Sequence, residues 1–149
     1  MVLSPPQVDV LALDEAGKPV AAVQVSAVEN AGVADCRQLN EYLKRADETV
    51  PYAIFADLTL IRVFRVHGRQ AVEELARLST RQIAARYDPN FAAKRIFHEY
   101  LAEILSAWLR DVAYHWKSEH PPAEDTLQSI GLAQMLAGGD TRREFAQAV

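Results

Sequence analysis

Apolar and polar positions change their period several times along this chain, and each change marks an expected element. Residues 8–13 and 20–27 are two mostly apolar runs separated by Asp14-Glu15-Ala16-Gly17-Lys18-Pro19, an acidic and small stretch with Gly and then Pro where the next run begins. Such a pattern reads as two strands joined by a turn, an antiparallel pair. Side chains alternate across a strand with period two, so Val23 and Val25 fall on one face and Ala22, Gln24 and Ser26 on the other. After a polar loop with Asn30 and Gly32, the residues Cys36, Leu39, Tyr42, Leu43 and Ala46 recur at helical spacing. A helix capped by Asp35 and running to about Asp47 is expected, lying on a sheet. Pro51 then opens a buried strand over 52–56, and Asp57-Leu58-Thr59 turns it into a second over 60–66, closed by His67-Gly68.

Beyond Gly68 the chain is expected to be helical. Ser79 with Gln82 three residues on fits a capping box, and Tyr87-Asp88-Pro89 ends the short helix after it. Asn90 then caps the longest expected element, 91–118, in which apolar residues from Ala93 and Ile96 through Trp108 to Trp116 recur every third or fourth position. At 1.5 Å rise per residue that stripe is about 40 Å long, more than a small sheet covers. Either the last helices fold back over the excess, or a second copy of the chain covers it, which implies a homodimer through the 91–118 helix. His120-Pro121-Pro122 stops the helix, and a shorter helical segment over 126–136 ends at Gly138-Gly139. The fold expected is therefore α/β, one domain over 1–149, with an α/β core over 1–68 and a helical extension over 69–149.

With 149 residues, half of them hydrophobic and a quarter charged, the chain is long enough to close a core without staples. Its one cysteine, Cys36, has no internal disulfide partner and sits on a helical apolar stripe, where it reads as a small buried hydrophobe in a reducing, cytoplasmic setting. No run approaches the roughly 20 apolar residues of a membrane span, and residues 1–6 lack the features of a secretory signal. The net charge of -4 is unevenly spread. Residues 1–59 carry four Lys/Arg against nine Asp/Glu, residues 60–95 eight against three, and residues 96–149 four against eight. The basic middle, led by Arg62, Arg65 and Arg69, either faces a polyanion such as nucleic acid or sits on solvated faces paired with the acidic ends of the same protein.

Candidate chemistry centres on the first hairpin. Asp9 opens its first strand, and Gln24 and Ser26 lie two apart on its second. This layout resembles the metal-site hairpin of the PD-(D/E)xK nuclease superfamily, the restriction-endonuclease-like fold, in which an aspartate starts one strand and an acid and a lysine sit one residue apart on the next. Past the hairpin, a helix and a strand pair with the runs Tyr52-Ala53-Ile54-Phe55 and Arg62-Val63-Phe64-Arg65-Val66 are similar to the N-terminal domain of type I restriction motor subunits and related uncharacterised bacterial proteins. The resemblance covers residues 8 to 66. It implies a mixed sheet with a crossover helix and one parallel pair across it, and it places Asp9 at the family's aspartate, Gln24 at its acid and Ser26 at its lysine. It also makes Gln38 the helix glutamine that approaches the site in several such families.

The family's carboxylates hold Mg²⁺, a hard cation, beside the scissile phosphate, and the lysine orients or deprotonates the attacking water. Gln24 keeps one carbonyl acceptor without the charge, and Ser26 is neutral and too short to stand in for an ammonium. The resemblance thus implies a catalytically degenerate nuclease-like domain acting as a binding or assembly module. The alternative is an active Mg²⁺-dependent nuclease whose metal site is rebuilt on Asp9 with a migrated acid such as Glu29, Asp35 or Glu41. Other constellations are weaker. His98-Glu99 begins like a zinc-binding helix, but Ala102 stands where the second histidine belongs. Asp111 and His115, four apart, pair on a helix surface without a third ligand in view, and the Trp108 and Trp116 stripe reads as core or interface.

Overall fold

Residues 8–29 and 36–144 are described by the structure, a computed structural model. The first hairpin forms as its pattern dictates. Strand β1 (Val10–Leu13) pairs antiparallel with β2 (Pro19–Val25), and the turn closes on the Asp14 carboxylate, which accepts the N–H groups of Ala16 and Lys18. Helix α1 (Arg37–Arg45) then crosses over the sheet, and β3 (Tyr52–Ala56) pairs parallel with β2, the geometry that a helical crossover requires. The expected N-cap, Asp35, lies outside the described residues. Strand β4 (Leu60–His67) returns antiparallel to β3.

The expected helical extension over 69–149 is corrected at both its ends. Residues Gln70–Ser79 form a ten-residue strand, β5, antiparallel to β4. The decisive feature is the turn: Gly68 and Arg69 both adopt positive φ, 54° and 69°, and His67 faces Gln70. Two left-handed residues in succession make the two-residue hairpin turn whose twist suits flanking strands. Arg69 is held in this conformation by its guanidinium, which donates to the carbonyls of Leu43, Lys44 and Ala46 at the end of α1. Two register shifts let β5 carry two more residues than the stretch of β4 it faces, so its side chains lose the period of two that marks a strand in sequence. At the other end Asp140–Arg143 forms β6, antiparallel to β1. Among the described residues the sheet has six strands in the order β5-β4-β3-β2-β1-β6.

The long helix is also shorter than its apolar stripe. After α2 (Thr80–Tyr87), capped by the Ser79 hydroxyl accepting Gln82 N–H, the chain makes a 3₁₀ turn over Phe91–Ala93 and only then enters α3 (His98–Tyr114). The early break has a cause in Asp88, buried at the end of α2. Its carboxylate gathers Asn90 N–H, the Lys94 ammonium at 2.8 Å and the Tyr100 hydroxyl at 2.5 Å, which bends residues 88–100 around it. These partners hold Asp88 below the usual carboxylate range and raise Lys94 and Tyr100 in return. The late end has a similar cause. Asp111, fully buried within α3, accepts the N–H groups of Lys117 and Ser118 at 2.9 Å each and the Tyr87 hydroxyl at 2.8 Å, so the chain reverses at His115, which is left-handed. Trp116 therefore continues the helical spacing without being helical; its indole N–H folds back onto Ala107 O.

Two cores arise from the alternation of the strands. Val10, Val23, Val25, Ile54, Ile61 and Val63 face α3, and Leu11, Ala22, Ala53, Phe55 and Phe64 face α1. Short helices α4 (Glu124–Ser129) and α5 (Leu132–Leu136) close over α3 with Leu127, Leu132 and Leu136, and Trp108 anchors the connection by donating to Pro122 O. The last helices thus fold back over part of the apolar stripe of α3, while Phe97, Tyr100, Tyr114 and Trp116 stay exposed. No helix among the described residues is long and apolar enough to cross a membrane.

Candidate functional site

Strands β2 and β3 run parallel, and the rim at their carboxyl ends is where open α/β sheets place ligands. Asp9, Gln24 and Ser26 all lie on this rim. Asp9 is buried where the chain enters β1, its N–H donating to Val23 O and its carbonyl accepting Glu144 N–H. Its carboxylate continues the ladder in place of backbone: Oδ2 accepts Val25 N–H at 2.8 Å. Oδ1 lies 2.5 Å from Nε2 of His98, the first residue of α3, in a contact where imidazole donates and carboxylate accepts.

Gln24 is buried on the neighbouring strand but serves the other layer. Its Oε1 accepts Leu39 N–H at 2.7 Å, capping the first turn of α1 from across the sheet. The orphan N–H groups of a helix N-terminus need such acceptors, and Cys36, at the cap position itself, supplies no side-chain cap bond to them. Asp9 and Gln24 therefore approach the same segment of β2 and then part, one tied to α3 and the other to α1 on opposite faces. Ser26 continues past the strand, partly buried, with its N–H on Ala56 O. Gln38 is exposed on the first turn of α1.

This donor set does not fit a Mg²⁺ ion. Both Asp9 oxygens and the Gln24 oxygen already accept protein hydrogen bonds, and the Gln24 and Ser26 side chains carry no negative charge. Among the described residues no group of three His, Cys, Asp or Glu is placed to hold a metal ion. Two of the acids expected as alternative ligands are engaged elsewhere: Glu29 pairs with Arg81 at 2.6 Å, and Glu41 lies near Lys44 and Arg45. Asp35 is outside the described residues.

His98 is the rim residue that the sequence pattern leaves unassigned. Its local spacing offers no more than half of a zinc helix, and the partner that matters, Asp9, lies 89 positions away. A separate recess of about 140 Å³ is lined by Glu29, Leu58, Arg81, Phe91, Lys94 and Ile96, and in it Arg81 and Lys94 are paired with Glu29 and Asp88.

The three leading arginines are brought to different places. Arg65 stacks over the Tyr52 ring at 5.3 Å and reaches Ile130 O on the α3 face. Arg69 caps α1, and Arg62 lies on the α1 face beside Glu74. They share no single surface, and Arg77, Arg86 and Arg95 are likewise taken up by Glu74, Ser118 and the Phe97 ring.

No protein-family model, curated protein or solved structure matches the chain.

Proposed function

We propose that this chain is a catalytically degenerate nuclease-like domain of the restriction-endonuclease-like kind, working as a binding or assembly module. The reading rests on the resemblance of residues 8 to 66, and the hairpin, crossover helix and parallel strand are in keeping with it. The observation that carries the loss of catalysis is the Gln24 bond to Leu39 N–H. At the position of the family's acid, a metal-ligand oxygen has become a helix cap, and Asp9 has become a tie between β2 and α3. The Gln24 amide is aimed at the Leu39 N–H and is neutral, so it adds no negative charge to draw a hard cation to Asp9.

The test is incubation of the purified protein with plasmid, single-stranded DNA and RNA in Mg²⁺ and in Mn²⁺. The expected result is no cleavage. Metal-dependent cleavage that disappears in Asp9→Ala overturns the reading in favour of a working nuclease built on Asp9.

A further inference from the structure

Six large apolar side chains stay exposed among the described residues, and four of them, Phe97, Tyr100, Tyr114 and Trp116, sit at the two ends of α3. One side of α3 is buried on the sheet through Leu101, Leu105 and Leu109. The other carries Tyr100, Glu103, Ala107, Arg110 and Tyr114, whose steps of three and four residues keep them in one outward stripe. Exposed aromatic residues gathered on one helix mark an interaction surface. Charge along this stripe is unbalanced in two places. Arg143 is shared by Glu99 and Glu103, so one guanidinium answers two carboxylates whose side chains are more than half exposed. Arg110 has no ion pair or hydrogen bond with any described residue. Its Nε is buried without an acceptor, but the residue is partly exposed, which leaves the outer end of the guanidinium open to a partner.

We propose that the outward face of α3 is a dimer interface, on which a second copy of the chain packs its own α3 antiparallel across a two-fold axis at Ala107. Tyr100 and Tyr114 each lie seven residues from Ala107, about 10 Å along the helix, so the axis sets Tyr100 on the partner's Tyr114 and the reverse. Glu103 and Arg110 lie about one turn to either side of Ala107, and the same axis sets Glu103 against the partner's Arg110 twice. The excess negative charge of one copy thereby meets the unpaired cation of the other. A parallel pair would oppose arginine to arginine, so the charges select the antiparallel arrangement, in which the helix dipoles also oppose. Ala107 brings only a methyl group to the axis, where two packed helices come within about 8–10 Å. The surface thus complements itself, as an isologous dimer requires. Nucleic acid fits this face poorly, because Glu99 and Glu103 repel phosphates there. The inference deepens the assembly role proposed above by naming its partner, and rests on that reading only in taking assembly to be the domain's work.

The experiment follows self-association of the full chain by sedimentation velocity from micromolar to hundreds of micromolar concentration. A concentration-dependent dimer is expected, weakening as salt rises because two exposed ion pairs hold it. Arg110→Glu and Glu103→Arg each set like charges opposite one another and raise the dimer Kd about tenfold or more, and the two changes combined in one chain bring it back to within about threefold of wild type. Variants that merely damage the fold do not rescue each other in this way. Ala107→Cys reads the axis itself: under mild oxidation it forms a disulfide between two chains, whereas Gln128→Cys on α4 stays unlinked and the native Cys36 is buried. A chain that remains monomeric at hundreds of micromolar overturns the proposal and leaves the face to a partner of another kind. So does a dimer whose Kd is unmoved by both charge reversals, or a combined variant that is not rescued. If Glu103→Arg does not fold, because Glu103 also holds Arg143, an unweakened dimer in Arg110→Glu or an unlinked Ala107→Cys does the same. The two readings fail separately: a monomer removes the partner named here, and only metal-dependent cleavage removes the loss of catalysis.

Discussion

Replacing Gln24 tests whether this position serves the fold as the cap of α1. In the native protein its Oε1 accepts Leu39 N–H at 2.7 Å, and both residues are buried, Leu39 completely. Methionine at position 24 fills a similar volume but offers no comparable acceptor, so a buried N–H in the first turn of α1 is left without its partner. An unmade bond of this kind costs about 1–3 kcal/mol, and loss of a side-chain helix cap about 0.5–2 kcal/mol, so roughly 1.5–2 kcal/mol is expected. For a chain of this size that lowers the melting temperature by about 3–8 °C. Gln24→Glu behaves differently: its carboxylate still accepts the N–H and lies at the positive end of α1, so its melting temperature at pH 7 is expected within about 2 °C of wild type. Differential scanning calorimetry of the two variants gives the comparison. A melting temperature for Gln24→Met within about 1 °C of wild type would defeat this account, because it would mean that the cap contributes nothing measurable.

Asp111→Ala removes the acceptor for Tyr87, Lys117 and Ser118 and is expected to cost about 3 kcal/mol, a drop of about 6–12 °C in calorimetry; a loss under about 1 kcal/mol contradicts the role given to it in ending α3. Burial is the largest single influence on the Asp111 carboxyl and pushes it upward, but the bonds from Lys117, Ser118 and Tyr87 together hold it below its ordinary value. Its folded value is thus depressed, and the stability it contributes is present above the unfolded value and lost as pH falls through the folded one; acid melts of Asp111→Asn should lack this component. At Arg69, Ala keeps the left-handed strain and loses the cap on α1, whereas Gly loses the cap but relieves the strain. Urea denaturation should therefore find Arg69→Ala less stable than Arg69→Gly by about 1 kcal/mol with unchanged m; an Ala variant equal to or above Gly removes the turn argument.

Local structure is as far as the residue pattern reaches unaided. Between Val8 and His67 each element carries its own period, its own turn residues or both, so the hairpin, crossover helix and next two strands are legible before any contact is known. The same alternation correctly divides Val23 and Val25 from Ala22 and Gln24, because a strand's faces are a property of its backbone. Everything that the pattern misses depends on partners far along the chain. Strand β5 has two bulges and a turn held by Arg69 against α1, and β6 is four polar residues whose order comes from β1 and from Arg143 pairing with Glu99 and Glu103. The ends of α3 are set by Asp88 and Asp111, buried carboxylates that redirect the backbone through hydrogen bonds that no hydrophobic period records. The site obeys the same rule: residue types at 9, 24 and 26 are readable along the chain, but the packing of the layers is needed to bring Asp9 to His98 and to set Gln24 as the cap of α1.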